Sequence, residues 1–151
     1  MGSEIRRIAK DRIEIIKPMW EELNRLHLKE SPYFKEHYRT FTFEERCKKF
    51  TRMDEKDLLI LVAQTEGQLS GYCVSTIEKG AGEIDSLFVN QWCRGQGIGK
   101  ELVKRSIGWF EENACERIGV SVAVGHESAL GFYRIFGFYP RLTYLQMKSD
   151  Q

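Results

Sequence analysis

Arg94-Gly95-Gln96-Gly97-Ile98-Gly99-Lys100 lies between a strand-like run, Glu83 to Val89, and a helical pattern that begins near residue 98. Glycines at a strand-to-helix junction let successive backbone N–H groups turn inward as an anion nest. The helix N-terminus behind them adds partial positive charge. Arg94 and Lys100 add formal charge, so a phosphate or pyrophosphate is the ligand this chemistry suits. Two other phosphate motifs do not fit. A dinucleotide fingerprint needs G-x-G-x-x-G, and the spacing here is G-x-G-x-G. A P-loop needs Ser or Thr after its Gly-Lys pair, and Glu101 follows Lys100. The plain alternative is a glycine-rich turn that only starts a helix.

The pattern on both sides of this loop gives the fold class. Upstream, Leu58–Thr65, Leu69–Glu78 and Glu83–Val89 are rich in strand formers and separated by Glu66-Gly67 and Gly80-Ala81-Gly82, which reads as an antiparallel meander. Before the meander, Ile5–Ala9 is a short strand. Ile13, Ile16, Trp20, Leu23 and Leu26 recur at helical spacing. Pro18 either kinks that helix or sits near its start. Thr42-Phe43-Glu44-Glu45 fits a capping box, predicting a second helix with Phe43, Cys47 and Phe50 on one face. Downstream, Leu102, Val103, Ile107 and Phe110 stripe a helix over 98–114, and 118–124 is strand-like. A helix over 126–136 ends at Gly137, and Tyr139 and 142–147 read as final strands. The order βααβββαβαββ predicts an α+β fold, a mostly antiparallel twisted sheet flanked by helices.

The 151 residues suit one domain, and no linker, repeat or low-complexity stretch divides them. Lys+Arg 23 against Asp+Glu 22 leaves a formal charge of +1, which argues against a general nucleic-acid binder. The longest aliphatic run, Leu58–Ala63, is far short of a membrane span. No apolar h-region follows the first residues, and Cys47, Cys73, Cys93 and Cys115 form no CxxC pair. Free thiols and a cytoplasmic location are the expectation.

R-G-Q-G-I-G resembles the acyl-CoA pyrophosphate loop, R/Q-x-x-G-x-G/A, of the GCN5-related N-acetyltransferase (GNAT) family. Leu87-Phe88-Val89 resembles that family's preceding strand. Ser128-Ala129-Leu130-Gly131-Phe132-Tyr133-Arg134-Ile135-Phe136-Gly137-Phe138 resembles its A-x-x-x-Y-x-x-x-G-F segment. The resemblance covers most of the chain and is most specific over 83–138. It implies a GNAT fold and direct transfer of acetyl from acetyl-CoA, as co-substrate, to a primary amine, with no metal needed. The acceptor is either a small molecule or a protein N-terminus or lysine; no nucleic acid and no membrane is expected as partner, and a homodimer is compatible with the fold. A non-catalytic acyl-CoA-binding module is the alternative.

The resemblance also assigns residues. Arg94, Gly95, Gln96, Gly97, Ile98, Gly99 and Lys100 would hold the pyrophosphate. Leu87, Phe88 and Val89 would offer backbone groups to pantetheine, besides packing in the sheet. Ala129 and Tyr133 lie one turn apart on one helix face. Tyr133 would protonate the departing thiolate, or else is a core aromatic. An alkylamine is under about 0.1% neutral at pH 7, so a base is useful. Glu83 is the first candidate and Asp85 the second. Strict alternation puts Glu83, Asp85, Leu87 and Val89 on one strand face, where the two carboxylates could share a site or attract a cationic substrate. His126 stands where the family usually has an asparagine contacting CoA, which puts that contact in doubt. Cys93 reads as an exposed thiol with no activating neighbour, and His27 and His37 match no metal-ligand spacing. Tyr33, Phe34, His37, Tyr38 and Phe41 form an aromatic-rich connection that is either an acceptor wall or core.

Overall fold

The Thr42 capping box forms as read: its hydroxyl accepts from the Glu45 N–H, and the Glu45 carboxylate accepts from the Thr42 N–H at 3.0 Å. The structure, a computed structural model, describes residues 2–149. Its elements are β1 (Ser3–Ile8), a 3-10 segment (Lys10–Ile16), α1 (Lys17–Glu30), α2 (Lys35–Thr40), α3 (Phe43–Thr51), β2 (Leu58–Thr65), β3 (Gln68–Glu78), β4 (Ala81–Val89), α4 (Ile98–Glu112), β5 (Arg117–Val120) and α5 (Ala129–Arg134). Pro18 sits in the first turn of α1, where its missing N–H costs nothing. The aromatic connection contains a short helix, α2, which its sequence pattern did not announce.

One sheet runs β1-β2-β3-β4-β5; all neighbours are antiparallel except the parallel pair β4–β5. Helices cover both faces, so β2 is buried almost throughout. On one face Ile60, Val62, Tyr72, Val74 and Phe88 pack with Trp20, Phe43 and Phe50 from α1 and α3. On the other, Leu59, Leu61, Cys73 and Ile84 pack with Leu102, Val103 and Phe110 of α4 and Tyr133 of α5.

Two sequence expectations change. Strand β5 stops at Val120, so 121–124 leave the sheet. The final strands do not form among the described residues: Tyr139, Leu142, Tyr144, Leu145 and Met147 are 65–92% exposed and carry no ladder. Strand-forming residues make a strand only where an edge accepts them, and this segment pairs with none here. Gly137 ends the α5 region in the left-handed conformation expected of it.

Candidate active site

The parallel pairing of β4 with β5 ends at Ile84↔Val120, whereas β4 continues to Val89 with its other edge held by β3. The edge of Asp85–Val89 that faces away from β3 therefore has no strand partner among the described residues. Backbone N–H and C=O groups left open in this way can take an extended ligand as an added strand. Leu87, Phe88 and Val89 lie on this edge.

The open edge leads to the glycine loop. Gly95 and Gly97 have φ of +83° and +82°, a region that costs an L side chain about 1–2 kcal/mol and glycine nothing. Gly97 is the N-cap of α4, and Glu101 makes the first helical bond, to the Gly97 carbonyl. Among the described residues the backbone N–H groups of 95–100 find no acceptor, and residues 94–97 are exposed. Six free donors at a helix start are the kind of group an anion nest uses. Arg94 Nε donates to the Val89 carbonyl at 3.1 Å, which ties the loop's guanidinium to the end of β4. Ile98 is buried in the α4-side core, whereas the Lys100 side chain is exposed. Gln96 is exposed beside the nest.

The strand face expected for the carboxylates is corrected by a β-bulge. Val74 pairs with Ser86 but Ser75 pairs with Ile84, so Asp85 is the extra residue. The bulge flips the alternation. Glu83 and Asp85 face α3, whereas Leu87 and Val89 pack on the α4 side. Asp85 is locked in place: its side chain is 1% exposed, Lys49 Nζ reaches Oδ2 at 2.6 Å and Thr76 donates to Oδ1 at 2.5 Å. Arg46 donates to its carbonyl at 2.7 Å and stands 3.7 Å from Oδ2. Glu83 is freer, at 44% side-chain exposure with Lys49 at 3.4 Å. Burial works against the Lys49 charge, but the bonds to Asp85 and Glu83 outweigh it and raise its pKa. With two cations facing two carboxylates, the pair is close to neutral and does not form the anionic attractant its sequence spacing suggested.

Tyr133 is 8% exposed, packed between Phe132 and Phe138 at ring distances of 5.1 and 5.8 Å, on the same core face as Ala129 and Cys73. Burial pushes its pKa well above the usual phenol value, with Cys73 adding to the shift. The shift favours the protonated, neutral hydroxyl. Cys93 is fully buried, donating to the Ser70 and Asn90 carbonyls at 3.3 Å, so the exposed-thiol reading is wrong. The Trp92 before it takes the surface position instead. His126 makes a contact its sequence did not foretell: Nδ1 lies 2.9 Å from Glu30 Oε1 at the end of α1.

The sequence pattern of the Acetyltransferase (GNAT) family matches residues 20–138, and the chain belongs to that family. A Bacillus subtilis protein provisionally named a [ribosomal protein bS18]-alanine N-acetyltransferase is 30% identical over 80 residues, 53% of each chain. An uncharacterised N-acetyltransferase of Methanocaldococcus jannaschii is 36% identical over 81 residues, 53% of this chain and 52% of that one. The matched stretch thus spans about half the length of these relatives. In three dimensions the chain resembles the PaiA N-acetyltransferase of Thermoplasma acidophilum, solved with coenzyme A. The TM-score is 0.77 at 19% identity, covering 95% of this chain and 94% of that one, a likeness of fold.

Proposed function

We propose that the chain transfers an acetyl group from acetyl-CoA directly to a primary amine. The supporting observation is the continuity of the open β4 edge with the six free N–H groups at 95–100. An extended thiol arm fits the first and a pyrophosphate the second. Acetyl-CoA supplies an activated thioester carbonyl. A backbone N–H near Leu87 or Phe88 polarises that carbonyl as an oxyanion hole does. Glu83 takes a proton from the acceptor amine, directly or through water, because it is the exposed member of the carboxylate pair. Asp85 positions Lys49 and the bulge. Tyr133 gives its hydroxyl proton to the departing sulfur. The amine nitrogen gains the bond that the sulfur loses, leaving an amide and a free thiol.

The Bacillus relative's name points to an α-amine of a protein, so an alanine-initiated peptide is the first acceptor to try. The test is thiol release with such peptides and a panel of small amines, followed by the mass of the product. Glu83→Gln should lower turnover about 10²–10⁴-fold at pH 7, with the loss shrinking at high pH. Tight acetyl-CoA binding with no thiol release from any amine would favour the non-catalytic module instead.

A further inference from the structure

His27 and Glu30 are three residues apart in the last turn of α1, so they share a helix face. A third group reaches them from the loop before α5. Gly125, at φ +102°, lies so close to α1 that a Cβ there would sit 2.2 Å from the Glu30 carbonyl oxygen. Glu127 braces the same turn by accepting from the Gly125 N–H at 2.9 Å. This close approach holds His126 over the end of α1. Its ring lies 5.3 Å from that of His27 at 88°, and its Nδ1 lies 2.9 Å from the Glu30 carboxylate. One ligand atom from each of the three residues falls within 4.8 Å of the others. His27 Nδ1 is also the buried side-chain polar atom that lacks a hydrogen-bond partner among the described residues. An orphan of this kind is costly and calls for a ligand or a water.

We propose that His27, Glu30 and His126 bind a Zn²⁺-class divalent transition metal. Two imidazoles and one carboxylate are a borderline donor set that suits Zn²⁺ and leaves a fourth position for water. Mg²⁺ and Ca²⁺ prefer all-oxygen shells and fit poorly. Tetrahedral bonds of about 2.0–2.1 Å set donors about 3.3 Å apart, so the widest pair would close by up to about 1.5 Å and the His126–Glu30 pair, now at 2.9 Å, would open slightly to admit the ion. Burial and then the neighbouring His126 depress the His27 pKa, which favours the uncharged form that ligates. The ion would staple α1 to the loop leading into the helix that carries Tyr133. Its role would be to hold these two elements together.

The test titrates metal-stripped full-length protein with Zn²⁺ and with Mg²⁺, read by calorimetry and thermal unfolding. One equivalent of Zn²⁺ with a raised Tm, and no response to Mg²⁺, is expected. His27→Phe and Glu30→Gln, each checked for fold by circular dichroism, should each weaken Zn²⁺ binding at least about tenfold. Cys115→Ser should leave it unchanged, since that thiol lies outside the cluster. Absence of stoichiometric Zn²⁺ binding, or unaltered affinity in both ligand variants, overturns the site.

Discussion

Gly97→Val tests the loop most directly. A Cβ at Gly97 meets nothing within 4 Å, so crowding contributes no penalty. The penalty is conformational: φ is +82°, and an L residue there loses about 1–2 kcal/mol, with β-branching adding to it. Helix α4 is anchored by Leu102, Val103 and Phe110, whereas residues 94–97 are exposed. The loop can therefore relax while the fold stays intact, turning N–H groups out of the nest. The cost then appears in binding, where 1–2 kcal/mol corresponds to an acetyl-CoA affinity about 5–30-fold weaker. Gly108→Ala, in the middle of α4 with open space around its Cβ, is the control. It should leave affinity unchanged and add about 0.5–1 kcal/mol of stability. Calorimetry with acetyl-CoA, beside thermal melts of both variants, is the assay. A folded Gly97→Val protein that binds acetyl-CoA like the parent refutes the loop as the pyrophosphate site.

Tyr133→Phe should keep acetyl-CoA affinity and lower turnover about 10²-fold, the lower end for acid catalysis, because a thiolate leaves fairly well unaided; equal turnover under chemistry-limited conditions would make Tyr133 a packing residue. Asp85→Asn should destabilise the fold by about 3 kcal/mol in urea titration, at the low end for a broken buried pair because Lys49 keeps some solvent contact. Removing an idle surface carboxylate would cost nothing measurable. His27 has a folded pKa below its ordinary 6.5, so the unfolded chain binds the proton more tightly. In metal-free protein its contribution to stability is intact above about pH 6.5 and is lost as pH falls toward the depressed folded value, a decline that His27→Phe should flatten.

Periodicity and capping chemistry are local, and they made most of the fold legible. The Thr42–Glu45 box needs only three residues of helix, the meander only alternation and two turns, and the glycine loop only its own left-handed angles. The cap, the strand order of the meander and the glycine turn therefore stood in the sequence as they stand in the structure, whereas the register of β3 with β4 did not. The carboxylates were legible as candidates but not as a site. Whether Glu83 and Asp85 share a face with Leu87 depends on one unpaired residue in the β3–β4 register, and a bulge is a property of two strands. Lys49, which separates the two roles by binding Asp85 tightly and Glu83 loosely, comes from a helix 34 residues earlier. No spacing rule connects them.

The amino-acid sequence by itself determined the order of elements from β1 to α5 apart from α2, the left-handed glycine turn before α4 and family membership, because these rest on contacts between near neighbours and on backbone angles that glycine alone takes freely. Only the tertiary structure decided which carboxylate is accessible, that Cys93 is buried, that His126 meets His27 and Glu30, and that the apolar residues of 139–147 carry no strand pairing among the described residues. Each of those depends on groups brought together from distant parts of the chain, where burial and register, rather than local propensity, set the outcome.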